Sequence, residues 1–346
     1  MRLRLCLASM KGPLMRRRLL ISAAALTLLT FALAGGIGAS AADPSAALGH
    51  DGVPAFGHVF VIIGENTARG NMSAAVAPYQ FGTLKLASAW VNNYWSFPVD
   101  GSLANYIGMT SGQYTTCDIN NNLPAKCHQR TNNIFHQMDV HNMSWKLWAE
   151  SATGPCDFFD SGTNWNGNTY GAHHNPAVYY DNITGGSYSE ARPPKKECLK
   201  NIIPTGTTAP NDTSALDAAL ASGTGLGQLN IIVPNDCENS HDRCGQGSRY
   251  NQFDQFLQRE IPKIEASPAF GSDGVIFVTY DEGADPGIPN RFNIQMEVTG
   301  PLVQPGVYSG GVRWSHYSLL RTLEDGFGFH YLGGAKTARP LGNIWK

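Results

Sequence analysis

The sequence predicts an α/β fold built on an open β-sheet, and three apolar stretches carry this prediction. Residues 58–64, 230–233 and 275–280 are short runs rich in Val, Ile and Phe, which is the pattern of buried strands. Between the second and third runs, residues 250–264 place Phe, Leu and Ile side chains on one face of a helix. Strands that alternate with such helices are typical of α/β proteins.

Polar side chains directly follow two of these strands. Asp281 and Glu282 end the third strand, and Glu65 and Asn66 follow the first. Open α/β sheets bind ligands outside the carboxyl ends of their strands. If the two strands are neighbours, three carboxylates and an amide oxygen meet at one edge. Like charges so close raise each other's pKa, and a divalent cation with oxygen ligands would relieve the repulsion.

Length and charge limit the possible classes of protein. The chain has 346 residues, 42% of them hydrophobic, with a formal net charge of -2 and a pI near 6.5. This length is enough for one sizeable domain or two small ones. The near-neutral charge gives no electrostatic reason to expect a nucleic acid as partner.

The N-terminus has the pattern of a targeting segment. Three arginines at 16–18 precede an Ala/Leu-rich run, and residues 39–41 offer a small-x-small cleavage site. We therefore predict a signal peptide at 1–41, a mature domain at 42–346 and a secreted protein. The alternative is an uncleaved membrane anchor, although no later stretch is long and apolar enough to span a bilayer.

The cysteines agree with export. Of the seven, Cys6 lies in the predicted signal peptide, and the other six are an even number, as expected of disulfides in an exported chain. Proximity along the chain favours three pairs, and the other connectivities remain open: Cys117 with Cys127, Cys237 with Cys244, and Cys156 with Cys198. A zinc site is the alternative, but no CxxC spacing is present.

Ser102 stands at the predicted start of a helix. A helix around 79–89 and a loop at 92–101 come before it, and the pattern from 102 to 110 is helical. The hydroxyl is therefore a candidate N-cap. In the same position it would also lie beside free backbone N–H groups and the positive end of the helix dipole. A phosphate bound there would have its phosphorus next to the hydroxyl.

The segment 115–228 is polar and rich in Asn, Gly and Tyr, with short helical stretches such as 134–150. We predict that it is a lid or insertion pinned by disulfides. Within it His173 and His174 lie in a turn, for which a surface loop is the default interpretation. After the second strand His241 and Asp242 follow in another loop. Towards the end we expect a strand at 292–298 and a helix that opens at Ser315 and ends at Gly326 and Gly328.

Six short motifs occur in the order found in a known group: Gly64-Glu65-Asn66, Ser102 to Tyr106, His174-Asn175-Pro176, Pro234-Asn235 with His241-Asp242, Tyr280 to Gly283, and His316 to Glu324. In this the sequence resembles the bacterial and fungal phosphoesterase family of acid phosphatases and phosphocholine-preferring phospholipases C. That family belongs to the alkaline-phosphatase-like superfamily. The resemblance spans about residues 56–335.

The resemblance implies a doubly wound, mostly parallel sheet with helices on both faces and a metal at the strand ends. It implies that the metal ligands are the four residues at the strand tips: Glu65, Asn66, Asp281 and Glu282. Ser102 matches the nucleophile, and His174 and His241 match histidines that hold the phosphoryl group or protonate the leaving group. Substrate contacts or supporting roles fall to four polar side chains: Asn66, Asn105, Asp242 and His316. One departure is Asp100-Gly101, which stands where the family commonly has His-Pro.

The predicted activity is that of a secreted, metal-dependent phosphoric ester hydrolase. We favour an acid-phosphatase-type phosphomonoesterase that forms a phosphoserine, because many phospholipases C of the family continue into further β domains. A phospholipase C remains open, since the aromatic-rich stretches 90–97 and 165–180 would suit lipid contact. A non-catalytic secreted binding protein is the third possibility. Oxygen ligands favour Ca²⁺, Mg²⁺ or Mn²⁺ over Zn²⁺, and the substrate would be a small phosphate ester or a phospholipid head group.

Overall fold

A computed structural model describes residues 50–346, except 114–116, 118–120, 162–168, 187, 190–191, 208–210, 246 and 284–286. The predicted signal peptide at 1–41 lies outside the described residues. The described part of the chain contains one nine-stranded sheet. In chain order the strands are β1 (Val59–Gly64), β2 (Ala89–Trp95), β3 (Trp145–Ala149), β4 (Ile202–Pro204), β5 (Leu229–Val233), β6 (Val275–Tyr280), β7 (Asn293–Thr299), β8 (Gly306–Tyr308) and β9 (Trp314–Ser315).

The strand order across the sheet is β4-β3-β5-β1-β6-β7-β2-β8, and β9 pairs with β2. All neighbouring strands are parallel except at β7, which runs antiparallel to both β6 and β2. The predicted α/β class with a mostly parallel sheet is therefore confirmed. Every residue of β1, β5 and β6 is buried, which requires cover on both faces of the central strands.

The α-helices that the structure describes are α1 (Lys85–Ala87), α2 (Ser102–Ser111), α3 (Pro124–Cys127), α4 (Ile134–Val140), α5 (Asp181–Thr184), α6 (Lys196–Asn201), α7 (Ser214–Ser222), α8 (Arg249–Glu265) and α9 (His316–Phe327). The longest, α8, begins at Ser248, whose side chain accepts the N–H of Asn251. Helix α9 begins with a capping box between Ser315 and Ser318 and ends at Gly328, whose φ of 72° is left-handed. Gly326 lies inside α9 rather than at its end.

The register of the central strands sets the position of the site. Strand β1 lies between β5 and β6, and Gly64 is level with Tyr280. The next residues, Glu65 and Asp281, therefore leave the sheet side by side. Since β5 is also parallel to β1, its following loop starts at the same edge. This is the position at which an open α/β sheet binds its ligands.

Two local predictions were wrong. Residues 92–95, expected in a loop, belong to β2, which accommodates its two asparagines at a register shift between Val91 and Tyr94. Residues 134–150, expected to be helical, form α4 and then β3. The segment 115–228, predicted to be a lid or insertion, supplies β3 and β4 at one end of the central sheet.

The aromatic stretch 90–97 does not form the lipid-contacting loop considered above. Trp90, Tyr94 and Phe97 are buried in the fold, and Arg313 stacks on the ring of Trp95 at 4.0 Å. Of the second stretch, 165–168 lies outside the described residues, and the three tyrosines that follow are buried: Tyr170, Tyr179 and Tyr180.

The three disulfides form as proximity predicted: Cys117–Cys127, Cys156–Cys198 and Cys237–Cys244. Each closes a loop within the segments that connect the strands, where little regular structure holds the chain. Within the described part of the chain, no helix has both the length and the hydrophobicity needed to cross a bilayer.

Candidate active site

Two buried carboxylates meet at the carboxyl edge of the sheet. Glu65 and Asp281 are both inaccessible to solvent, and the N–H of Asp281 donates to the carbonyl of Gly64 at 2.9 Å, which continues the β1–β6 ladder. The backbone N–H of Asn66 donates to Oδ1 of Asp281 at 3.0 Å. Asn66 has a left-handed φ of 48°, which an asparagine tolerates better than most residues. The turn after β1 thus binds the residue after β6.

Ser102 points its hydroxyl at this pair. Its Oγ donates to Oε2 of Glu65 at 3.0 Å, and the hydroxyl of Tyr106, one turn along α2, donates to Oε1 at 2.6 Å. The prediction that Ser102 is the N-cap was wrong, because Gly101 caps α2 with a φ of 147° and Ser102 is the first helical residue. That φ is accessible to glycine. The serine hydroxyl is consequently available to Glu65.

Glu282 holds the start of α2 against β6. Its Oε2 accepts the backbone N–H of Gly101 at 3.0 Å and the Nδ2 group of Asn105 at 3.0 Å. Oδ1 of Asn105 in turn accepts the N–H of Phe97 at 3.0 Å. Asn105 is fully buried with both ends of its amide occupied. The substrate contact or supporting role expected of Asn105 stays a prediction, and its hydrogen bonds lie within the protein.

His174 links the carboxylates to β5. Its Nε2 lies 3.5 Å from Oε2 of Glu65, and its Nδ1 lies 3.2 Å from Oδ1 of Asp236, three residues past the end of β5. Only 1% of His174 is exposed, and its ring centre lies 5.7 Å from that of Tyr106. Although burial alone would raise it, the hydrogen bond with His174 holds the pKa of Asp236 below its usual value. The prediction of a surface loop is wrong for His174.

His241 and Asp242 stand at the more open side of the site. Nδ1 of His241 lies 2.8 Å from Oδ1 of Asp242, and about a third of the imidazole is exposed. Its ring centre is 5.7 Å from that of His174. One ligand atom from each of Asp236, His241 and Asp242 lies within 4.8 Å of the others. Asp242 thus contacts Nδ1 of His241, and Nε2 lies on the other side of the imidazole ring.

His316 is buried behind Asp281. Its Nε2 lies 2.6 Å from the carbonyl oxygen of Asp281 and so donates to it, and its Nδ1 lies 3.1 Å from the hydroxyl of Tyr94. Burial lowers the pKa of His316 to about 4, so at neutral pH the ring is neutral and Nδ1 accepts from Tyr94. Both nitrogens are thus occupied within the protein, and the role expected of His316, substrate contact or support, stays a prediction.

The carboxyl groups at this edge hold protons more tightly than usual. Burial, and next the charge of Asp281, raise the pKa of Glu65 well above its ordinary range, and the hydrogen bond from Tyr106 opposes this. Burial also raises the pKa of Asp281, against the effect of His174. The pKa of Glu282 is raised to about 8, first by burial and then by the charge of Asp281. Crowded, buried carboxylates of this kind take up either protons or a cation.

The donor atoms fit a hard divalent cation. Oδ2 of Asp281 is buried and has no hydrogen-bond partner among the described residues. Within the same part of the chain, no Lys or Arg pairs with Glu65 or Asp281. An orphaned carboxylate oxygen beside a second buried carboxylate and a serine hydroxyl gives an all-oxygen set, which suits Mg²⁺, Ca²⁺ or Mn²⁺.

Two site residues had no role in the sequence prediction. Asp236 lies three residues past β5, whereas Glu65 and Asp281 directly follow β1 and β6, so the available signal was its position in the loop after a buried strand. Tyr106 was read as part of a motif, and its spacing of four from Ser102 places the two on one side of α2.

Comparison with known proteins decides the family. A model of the phosphoesterase family matches residues 70–330, about three quarters of the chain. The chain belongs to the phosphoesterase family. The phosphatidylinositol-3-phosphatase of Mycobacterium tuberculosis is 27% identical over 311 residues, which cover 88% of each chain. These findings make the protein a phosphoric ester hydrolase.

Solved structures show the same fold at low identity. A protein of the alkaline phosphatase superfamily from Vibrio parahaemolyticus aligns with a TM-score of 0.57 and 10% identity, over 84% of this chain and 72% of that one. The lipoteichoic acid synthase LtaP from Listeria monocytogenes aligns with a TM-score of 0.51 and 12% identity, over 84% and 78%. The phosphoesterase-family fold is thus the alkaline-phosphatase-like fold that the motifs implied.

Proposed function

We propose that the protein is an exported, metal-dependent phosphomonoesterase in which Ser102 is the nucleophile. The observation that carries the proposal is the buried hydrogen bond between Ser102 and Glu65, beside the orphaned oxygen of Asp281. Three disulfides and the N-terminal targeting pattern support export. Glu65 and Asp281 would hold the cation, with Asn66 and Glu282 beside them.

The residues of the site fit two successive displacements at phosphorus. Oγ of Ser102 attacks, its proton passes to an acceptor already in place on Glu65, and the P–O bond to the leaving group breaks. His241, about a third of whose imidazole is exposed, donates the proton that the departing alkoxide needs. His174, held by Asp236, donates a hydrogen bond to the phosphoryl oxygens. Water then attacks the phosphoserine, which releases phosphate and restores the hydroxyl.

Charge balance is the main demand of this chemistry. The phosphoryl group of the substrate is negatively charged, and the carboxyl groups of Glu65, Asp281 and Glu282 already lie together at this edge of the sheet. When bound, a divalent ion supplies the positive charge that offsets both and lowers the pKa of a coordinated hydroxyl. Phosphoryl transfer otherwise asks mainly for positioning, which the contacts of Glu282 with Gly101 and Asn105 provide.

A monoester substrate agrees with the similarity to a phosphatidylinositol-3-phosphatase. The test compares initial rates on p-nitrophenyl phosphate and p-nitrophenylphosphorylcholine, with and without a chelator, for the wild type and Ser102→Ala. Ser214→Ala is the matched control, since Ser214 is the first residue of α7 as Ser102 is of α2.

We expect faster turnover of the monoester, loss of activity on chelation, recovery with Mg²⁺, Ca²⁺ or Mn²⁺, and loss of activity in Ser102→Ala but not in Ser214→Ala. Turnover of the diester alone would instead indicate a phospholipase C. No turnover of either compound with any of the metals would indicate a binding protein on this fold.

A further inference from the structure

Two large hydrophobic side chains share an exposed cleft next to the β4 edge of the sheet. Phe159 and Leu199 are each 41% exposed, and both line a cleft of about 220 Å³ together with Pro155, Pro193 and Pro194. Single exposed hydrophobics are common on protein surfaces. A pair in one cleft, rimmed by prolines, is an apolar surface of the kind that marks an interaction site.

Basic side chains surround this pair. Residues 192–200 carry four basic and one acidic side chain, a net charge of +3, in a chain whose formal net charge is -2. Arg192, Lys195, Lys196 and Lys200 are all exposed, as is the acidic Glu197. Leu199 follows Lys196 by three residues, a spacing that places the two on one side of α6, and Lys195 is the residue just before the helix. We call Phe159, Arg192, Lys195, Lys196, Leu199 and Lys200 the α6 patch.

Two acidic groups near the α6 patch, Asp157 and Asp160, are engaged inside the protein. Asp157 also lines the cleft, and its carboxylate accepts the N–H and the hydroxyl of Thr153 and the N–H of Phe159. Asp160 accepts the N–H of Ala172 at 2.8 Å. Lys195 donates from Nζ to the carbonyl of Asn182 at 3.1 Å, while Lys196 and Lys200 are exposed and give α6 a positive excess.

A disulfide and a short series of contacts connect the α6 patch to the candidate active site. The disulfide Cys156–Cys198 joins α6 to the segment that carries Phe159. Asp160, the next residue, lies 3.9 Å from Nδ1 of His173, and His173 packs on His174 with ring centres 4.1 Å apart. A flat partner seated on the α6 patch would thus lie beside the histidine side of the site.

We propose that the α6 patch docks the protein onto an anionic phospholipid bilayer. Phe159 and Leu199 enter the interfacial region, while Arg192 and the lysines meet the acidic head groups. Apolar side chains within a basic rim complement a negatively charged lipid surface better than they complement a neutral one. The proposal concerns binding and stands apart from catalysis, although docking would concentrate the enzyme on phosphorylated head groups.

The experiment is co-sedimentation of the purified mature protein with vesicles of phosphatidylcholine alone or mixed with phosphatidylserine. The wild type should bind the anionic vesicles and release them as salt rises, because screening shortens the reach of the lysine charges. Since each lysine near the surface contributes about 1 kcal/mol, Lys196→Gln/Lys200→Gln should weaken binding at least about tenfold. Phe159→Gln/Leu199→Gln should weaken binding to a similar extent.

Matched controls lie elsewhere on the surface. Lys126→Gln/Lys336→Gln removes two exposed lysines, and Leu86→Gln removes a leucine that is 81% exposed; both should bind as the wild type does. A wild type that ignores anionic vesicles, or patch variants that bind as well as the controls, would overturn the proposal. Hydrolysis of p-nitrophenyl phosphate should be unchanged in the lysine variant, and failure of the wild type in that assay would count against the phosphatase proposal alone.

Discussion

Oγ of Ser102 donates a hydrogen bond to Oε2 of Glu65 at 3.0 Å, and both residues are buried. The two residues are brought together by different elements, the first turn of α2 and the end of β1. Glu65 also accepts from Tyr106 and lies near His174. This carboxylate is therefore the point at which Ser102, the strand edge and His174 meet.

Removing the charge of Glu65 should stop the reaction without unfolding the protein. Glu65→Gln keeps the size and an acceptor oxygen but loses the negative charge that receives the serine proton and binds a cation. We expect kcat/KM for p-nitrophenyl phosphate to fall about a hundredfold or more, within the range of general acid–base effects. Glu197→Gln, on the surface, is the control and should keep full activity. Equal activity of the two variants would contradict a role for Glu65.

Asp236 should act through His174. Asp236→Asn replaces the acceptor of Nδ1 with an amide and loosens both the tautomer and the orientation of the imidazole. We expect kcat to fall about tenfold or more, because supporting partners of a functional imidazole commonly matter on this scale. In a double-mutant cycle, His174→Ala/Asp236→Asn should be no slower than His174→Ala alone. Additive losses would show that Asp236 acts independently of the histidine.

The disulfide Cys237–Cys244 should matter more for activity than for stability. It closes a short loop that contains His241 and Asp242 and begins next to Asp236, with a sequence separation of 7. Cys156–Cys198 spans 42 residues, and loop entropy makes the longer closure the more stabilising one. We therefore expect the Ser/Ser variant of the short loop to lose more kcat/KM, and that of the long loop to lose more thermal stability. The reverse pattern would contradict this assignment.

The strands that form the site were readable from the sequence because burial on both faces leaves a continuous apolar run. β1, β5 and β6 are of this kind, and polar residues mark their ends. β2 was missed since Asn92 and Asn93 interrupt its pattern where the register shifts. The sequence does not predict β3, because residues 145–149 follow α4 after a short turn and fall within the same predicted helix.

The candidate site was predictable only in part. Glu65, Asp281 and Ser102 follow from strand ends and a helix start, which are local features. The burial of His174 and its partnership with Asp236 depend on how the segment after α4 folds back against β5, which no local pattern fixes. Likewise, Asn105 and His316 match motif positions, but their hydrogen bonds to Glu282 and Asp281 turn them inward.

Glu324 should make stability depend on pH. This carboxyl lies on α9, two turns beyond His316, and burial raises its pKa from 4.5 to about 8. Its Oε2 is buried without a partner among the described residues. Between pH 4.5 and about pH 8, the folded protein therefore keeps a proton on Glu324 that the unfolded chain releases. The free energy of unfolding falls as pH rises between these two pKa values, and this contribution of Glu324 to stability is fully lost above its pKa in the folded protein.

Glu324→Gln removes this contribution, since its amide does not ionise. Compared with the wild type, the variant should gain relative stability between pH 5 and pH 9, by an amount on the order of a few kcal/mol. Urea denaturation of both proteins at the two pH values measures this difference. An identical change for the variant and the wild type would show that Glu324 ionises as freely in the folded state as in the unfolded one.

The phosphoryl group on Ser102 is the central claim, and it can be observed directly. The wild type is mixed with p-nitrophenyl phosphate, quenched in acid during turnover and digested for peptide mass mapping. We predict that the peptide containing Ser102 carries one phosphoryl group, and that Ser102→Ala shows neither this modification nor turnover. A Ser102→Ala variant that hydrolyses the substrate at the wild-type rate, with no phosphoserine in the wild type, would contradict the account.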